Sequence, residues 1–235
     1  MTEEQPTPRN ADNWARKVDR LSVGEEQRRY GFNVDGKRVS GPQQGFGRMW
    51  DRTFTVDLGT AVTPEALVAD WRSRFGSFWP KGGTFHGKIT GIDPGDVAPL
   101  SGGGVATGIL VLYADDTSFT FLTPEGHFIC GMITFSGELQ DDGGTFARIR
   151  MLIRMADPTF EAMWAMVRAK EGAFWTGTLQ NLAAANGVHG ATVVERTELV
   201  DSKRLWKNWT NITQNGAART VLHTMGRPFR SRAGT

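Results

Sequence analysis

Residues 105–155 read VATGILVLYADDTSFTFLTPEGHFICGMITFSGELQDDGGTFARIRMLIRM, and this stretch decides the fold. Four apolar segments, 105–113, 117–123, 127–137 and 145–155, are separated by Ala114-Asp115-Asp116, Pro124-Glu125-Gly126 and Asp141-Asp142-Gly143-Gly144. Glycine and aspartate supply the backbone conformations that tight hairpins require. Connections this short cannot join parallel strands, so the segments form an antiparallel meander. The last segment alternates: Ala147, Ile149, Met151, Ile153 and Met155 share one face, and Arg148, Arg150 and Arg154 the other. One face is therefore buried and the other wet. In 127–137 two sets compete for the inner face, Ile129, Ile133 and Phe135 against Phe128, Cys130 and Met132, and a bulge in the 141–144 turn would switch them.

Upstream, residues 46–58 (FGRMWDRTFTVDL) form a strand with Trp50, Phe54, Val56 and Leu58 at even positions. Thr63-Pro64-Glu65 opens a helix, with Leu67, Val68, Trp71 and Phe75 at helical spacing. Residues 84–92 make a weaker strand and 93–104 (DPGDVAPLSGGG) a loop. Downstream, Asp157 is the N-cap and Pro158 the first residue of a long helix that stops at Asn186-Gly187. Its apolar stripe is Phe160, Met163, Trp164, Val167, Phe174, Trp175, Thr178 and Leu182. Its other face (Ala162, Ala165, Ala169, Gly172, Ala173, Thr176 and Gly177) is too small and uncharged for a solvated surface, and the C-terminal segment is expected to cover it. Residues 11–30 form one short helix or stay unstructured.

Strand, helical connection, meander and long helix follow one another in helix-grip order. With the stretches GFGRMW, ADDTSFTFLTPEGH, GMITFS and FWTGTLQNLAA, the chain resembles the START/Bet v1-like (SRPBCC) superfamily over residues 43–188, most closely bacterial members of unknown function. The resemblance implies an α+β fold in which a curved antiparallel sheet wraps around a long C-terminal helix, with an apolar cavity between them. Relatives use such a cavity for lipids, hormones or polyketides, and some cyclise polyketides. Residues 1–42 are then a polar N-terminal extension and 189–235 a basic C-terminal extension, partly docked on the long helix.

Glu171 stands at the centre of the apolar stripe. A carboxylate facing a cavity has a raised pKa and serves as acid, base or ligand anchor; the other reading is a salt bridge to an arginine, or a helix distorted near Gly172. His127 follows the Pro-Glu-Gly turn and is either a general base or a hydrogen-bonded cap of that turn. His86 shares the ambiguity. Trp50, Phe54, Tyr113, Phe121, Met151, Ile153, Trp164, Val167, Glu171 and Trp175 are the expected ligand-binding residues. Cys130, in an apolar strand, reads as an inert thiol. The four histidines are far apart and none pairs at i, i+4, so no metal site and no cofactor is expected. Ser101-Gly102-Gly103-Gly104 lacks the ending of a phosphate loop.

The 235 residues carry a net charge of +2, unevenly spread. Residues 1–45 carry +1, residues 46–201 carry −6, and residues 202–235 carry +7, with seven Lys/Arg and no carboxylate. This last segment interleaves Trp206, Trp209 and Phe229 with its cations, a composition that suits nucleic acid or a membrane interface. The scatter of its charges favours instead a solvated tail docked through its aromatics. One cysteine, no long apolar run and a polar start point to a cytoplasmic chain. The leading expectation is binding of a hydrophobic small molecule (lipid, polyketide or aromatic) between sheet and helix. The alternative is a polyketide cyclase/dehydratase-like enzyme using Glu171 or His127.

Overall fold

The computed structural model describes residues 10–87 and 92–230. Eight strands form one sheet: β1 (Met49–Asp57), β2 (Gly83–Phe85), β3 (Val97–Gly102), β4 (Val105–Ala114), β5 (Ser118–Leu122), β6 (Ile129–Leu139), β7 (Thr145–Met155) and β8 (Val193–Asp201). The spatial order is β2-β3-β4-β5-β6-β7-β1-β8, antiparallel throughout. The helices are α1 (Pro64–Ser73), α2 (Pro158–Ala162), α3 (Trp164–Ala185) and α4 (Gly216–Arg230). The sheet is curved, and register shifts at Val111/Tyr113 and Met49/Trp50 mark two irregularities of the kind that bend strands.

The meander forms as its turns predict, and β6 pairs with β7 without a bulge from Leu139↔Thr145 to Ile129↔Met155. Ile133 and Phe135 therefore sit opposite Met151 and Ile149 on the inner face, which settles the competition within 127–137. Every inward residue of β7, from Ala147 to Met155, is fully buried. Trp71 of α1 closes one end of this core, edge-on to Phe119 and Phe135 at 5.9 and 5.3 Å between centroids. Such contacts add about 0.5–1.5 kcal/mol beyond their buried area.

Thr63 caps α1 by accepting from Ala66 N–H. Asp157 caps α2 through Thr159 N–H and Phe160 N–H, while its second oxygen accepts from Asn215, which itself caps α4. One Asp–Asn pair thus ties two helix starts together. The long helix is split at Met163, where the backbone leaves helical geometry (φ −92°, ψ 11°) with no proline or glycine at the break. On either side of it, Glu161 is held by Arg48 and Arg204, and Trp164 stacks on Trp50.

Several expectations are corrected. Part of the 93–104 loop is strand β3, in which Pro99 gives no N–H but its carbonyl accepts from His86 N–H at 2.9 Å. Of the expected strand 84–92, only Thr84 and Phe85 are extended, as part of β2, and 88–91 lie outside the described residues. Residues 10–42 form short 3-10 turns, not one helix, and they pack on the sheet's outer face: Leu21, Val23 and Val34 build a second small core with Leu110, and Trp14 lies on Tyr113. Residues past 188 supply β8 beside β1 instead of merely docking on the helix. The small-residue face of α3 is covered at Gly172, by Arg52 and Glu195, and at Gly177, by Pro80; Ala162, Ala165, Ala169 and Ala173 are exposed. Arg154, placed on the wet face, is buried: it donates to Gly47 O and Lys203 O, each at 2.7 Å, and pairs with Asp201. Among the described residues no helix is long and apolar enough to cross a membrane.

Candidate functional site

A cavity of about 420 Å³ opens between the concave face of the sheet and the helices α2 and α3. Each wall follows from one element's inward row. β4 contributes Thr107 and Ile109, β5 Phe121, and β6 Ile129 and Ile133. α3 contributes Val167, Glu171, Phe174 and Trp175, and Phe75 and Trp79 close the end beyond α1. Glycines 82, 83, 102 and 103 form part of the rim, with Met166, Lys170 and Ala217. The lining is mostly apolar, with a few polar side chains, the composition of a small-molecule site.

A buried ion cluster lies at the helix wall. Arg52 occupies an inward position of β1, between Trp50 and Phe54, and its side chain is fully buried. Its guanidinium donates to Glu171 Oε2 at 2.5 Å, to Glu195 Oε1 of β8 at 2.9 Å and to Arg168 O at 3.2 Å. It also lies 5.1 Å from the Phe54 ring centroid and 6.0 Å from that of Trp164. Burial pushes the Glu171 carboxyl up to about 7, against the opposing pull of Arg52. Burial also opposes ionisation of Glu195, but the hydrogen bond and charge of Arg52 outweigh it and hold that carboxyl below its usual range. Glu171 is therefore poised to change protonation near neutrality while Glu195 stays ionised. A carboxyl in that condition gives or takes a proton, or holds a ligand's polar end.

His127 is the second buried ionisable group on the cavity wall, and it also borders a smaller polar cavity of about 120 Å³ lined by Ser40, Cys130, Asp157, Asn208 and Asn211. Its Nδ1 accepts from Ile129 N–H at 3.1 Å, and burial pushes its pKa down to about 3. A neutral imidazole whose Nδ1 accepts carries its proton on Nε2. His127 is thus a donor and a poor base. His86 lies at neither cavity: it stacks on Tyr30 and its Nε2 pairs with Ser101 Oγ at 3.0 Å. Burial of Cys130 pushes its thiol up to about 12. Among the described residues no group of three or more His, Cys, Asp or Glu is arranged to hold a metal ion.

The expected ligand-binding set divides. Phe121, Val167, Glu171 and Trp175 line the cavity, and so does His127. Trp50 and Trp164 stack on each other at 4.8 Å instead, beside Arg52. Phe54, Met151 and Ile153 are fully buried in the packed core. Tyr113 lies on the outer face, where its hydroxyl bonds Asp115 and its ring meets Trp14, because the bulge at Val111/Tyr113 shifts its parity. Arg52 is absent from that set. Its signal is a charge at the inward parity of a strand, opposite a charge in the apolar stripe of a helix.

An antiparallel sheet curved around a long helix, with a cavity between the two, is decisive for the architecture. This is a helix-grip fold. No protein-family profile matches the chain, and no curated protein matches it. Among solved structures the helix-grip chain is similar to the protein Ms6760 from Mycobacterium smegmatis, with 16% identity over 57% of this chain and 89% of that one, at a TM-score of 0.42. It is similar to the hypothetical protein jhp0584 from Helicobacter pylori, with 11% identity over 57% and 86% and a TM-score of 0.45. It is also similar to the di-domain ARO/CYC StfQ from the steffimycin biosynthetic pathway, with 10% identity over 58% and 50% and a TM-score of 0.43.

Proposed function

We propose that this chain binds a hydrophobic small molecule of the lipid, polyketide or aromatic class in the cavity between sheet and α3. The observation that carries the reading is the cavity itself: about 420 Å³, walled by Phe75, Phe121, Ile133, Val167, Phe174 and Trp175, with Glu171 the one buried carboxyl in its lining among the described residues. Burying an apolar ligand there gains about 25 cal/mol per Å² before ordering costs. Glu171 is the natural partner for a hydroxyl or carbonyl on such a ligand, as a carboxylate for the first and a carboxylic acid for the second. The test is native mass spectrometry of the purified protein, followed by titration with an environment-sensitive fluorophore. A retained small-molecule mass, or saturable quenching of tryptophan emission that Val167→Trp abolishes, is the expected result. A bare mass together with no quenching at any concentration would overturn the reading.

A second reading, acid–base chemistry of the cyclase or dehydratase kind, is favoured by the Glu171 carboxyl being pushed up to about 7. It requires that a bound polyketide-like substrate leave chemically changed from the native protein and unchanged from Glu171→Gln. Release unaltered from both supports binding alone.

A further inference from the structure

Two consecutive C-terminal segments are mounted inside out. Residues 206–214 form a 3-10 helix, whose repeat of about three residues per turn places every third side chain in one row. The inward row is polar. Asn208 donates to Gln43 O and Gly45 O, at 3.0 and 2.8 Å, and Asn211 donates to Gln44 O and Ala156 O, at 2.7 and 2.9 Å. The outward row is Trp206, Trp209 and Ile212, which are 70%, 56% and 42% exposed even though Trp206 meets Phe46 edge-on.

Helix α4 repeats the arrangement. Its inner side is held by Thr220 Oγ1, which accepts from Ala106 N–H at 3.1 Å and from Asn33 at 3.0 Å, and by His223 stacked 4.0 Å from Phe32. Val221, Leu222 and Met225, at i, i+1 and i+4, face solvent. A surface helix ordinarily docks its apolar stripe and shows its polar one. Here both segments spend their polar side chains on the body and leave large apolar ones outside, and such surfaces mark interaction sites.

Charge identifies the occupant. From 202 onward the chain has seven Lys/Arg and no Asp/Glu. Lys203, Lys207 and Arg219 are exposed, and burial and then the charge of Arg219 depress the Lys37 ammonium, with Glu125 opposing and Arg20 adding to the effect. Tryptophan flanked by cations suits the headgroup level of a bilayer, and aliphatic Ile212, Val221, Leu222 and Met225 suit acyl chains, whereas aliphatic side chains cannot stack on bases. We propose that residues 203–225 dock on an anionic lipid surface, with Trp206, Trp209, Leu222 and Met225 entering the interface and Lys203, Lys207 and Arg219 meeting the headgroups. The proposal stands independently of the cavity reading, although Ala217 of α4 forms part of the cavity wall.

The test is co-sedimentation of the full chain with vesicles of phosphatidylcholine alone and of phosphatidylcholine with phosphatidylglycerol, at low and high salt. Binding is expected only with phosphatidylglycerol, and it should weaken as salt rises. Lys207→Gln should weaken it about fivefold, the share of one cation near a charged bilayer. The double variants Trp206→Ala/Trp209→Ala and Leu222→Gln/Met225→Gln should reduce it further, with an unchanged far-ultraviolet circular dichroism spectrum. Tryptophan emission of the native chain should shift to the blue on vesicle addition. No binding to anionic vesicles, equal binding to both vesicle types, variants that bind like the native chain, or tight binding to a single-stranded oligonucleotide in its place would each overturn the proposal. So would concentration-dependent self-association through the same residues without vesicle binding.

Discussion

Arg52 on β1 and Glu171 on α3 meet at 2.5 Å, and the guanidinium is shared with Glu195 of β8 at 2.9 Å. One cation thus joins the sheet's inner face, the helix that the sheet grips and the last strand of the sheet. Removing one partner of a buried ion pair strands the other, at a cost of about 3–5 kcal/mol. Arg52→Leu is expected to destabilise the protein by that order at alkaline pH. The loss should be smaller in acid, where Glu171 takes a proton. Glu171→Gln should cost less, since Glu195 remains to neutralise the arginine. Urea unfolding of both variants at several pH values measures the contrast.

The two buried ionisable groups of the cavity wall, Glu171 and His127, pull stability in opposite directions. Burial raises Glu171 from 4.5 to about 7, so the folded state binds its proton more tightly, and its contribution is present below 4.5 and lost as pH rises through about 7. Burial lowers His127 from 6.5 to about 3, so its contribution is present above 6.5 and lost as pH falls toward about 3. Between 4.5 and 6.5 the slopes oppose, each on the order of 1 kcal/mol per pH unit. Glu171→Gln should therefore expose a stability that climbs with pH across this window, and His127→Gln one that declines. Identical pH profiles for the native protein and both variants would contradict the assignment.

Much of the fold was legible because its energy lies in burial. The alternation of 145–155 and the Asp157-Pro158 cap have local signatures, and both stand where the pattern puts them. β8 has none. Its residues are mostly exposed, and it is held by backbone pairing to β1 and by Glu195 on Arg52, which hydrophobic periodicity does not register. Strand β3 was obscured by Pro99 and the flanking glycines. Within the site, Glu171 is visible as a defect in an apolar stripe, whereas its partner Arg52 is masked by the apolar Trp50, Phe54 and Val56 around it. Two defects of opposite charge, one at the inward parity of a strand and one on the buried side of a helix, are best read together. Trp50 and Trp164 show the converse limit: periodicity places them inside but does not tell a wall of the cavity from packed core.

Gly126 joins the meander to the C-terminal segment. Its φ is +88°, its carbonyl accepts from Gly216 N–H at 2.8 Å, and a Cβ there would stand 2.5 Å from Gln214 O. Gly126→Ala must strain the turn by about 1–2 kcal/mol and push the chain at 214–216 away. Lower thermal stability and faster amide exchange in α4 than in β6 and β7 are the expected outcome, readable by hydrogen exchange with mass spectrometry.

Cys130 should behave as a silent thiol. It is buried, Ser40 Oγ donates to its sulfur at 2.9 Å, and burial pushes it up to about 12, so almost no thiolate exists at neutral pH. Maleimide labelling of the native protein should be negligible and become complete in denaturant. Prompt labelling under native conditions would mean that the 40–45 segment and the neighbouring Asn208–Asn211 turn open readily.

The shared guanidinium also imposes an order on synthesis. Arg52 leaves the ribosome 119 residues before Glu171 and 143 residues before Glu195. At about 5–20 residues per second, the arginine waits many seconds without either counter-charge. The strand that carries it has no reason to bury that side chain during the wait. The meander can form from its own hairpins, and the charge that β1 carries inward is neutralised only once α3 and β8 have emerged. A nascent chain stalled before residue 195 therefore holds Arg52 without its second counter-charge.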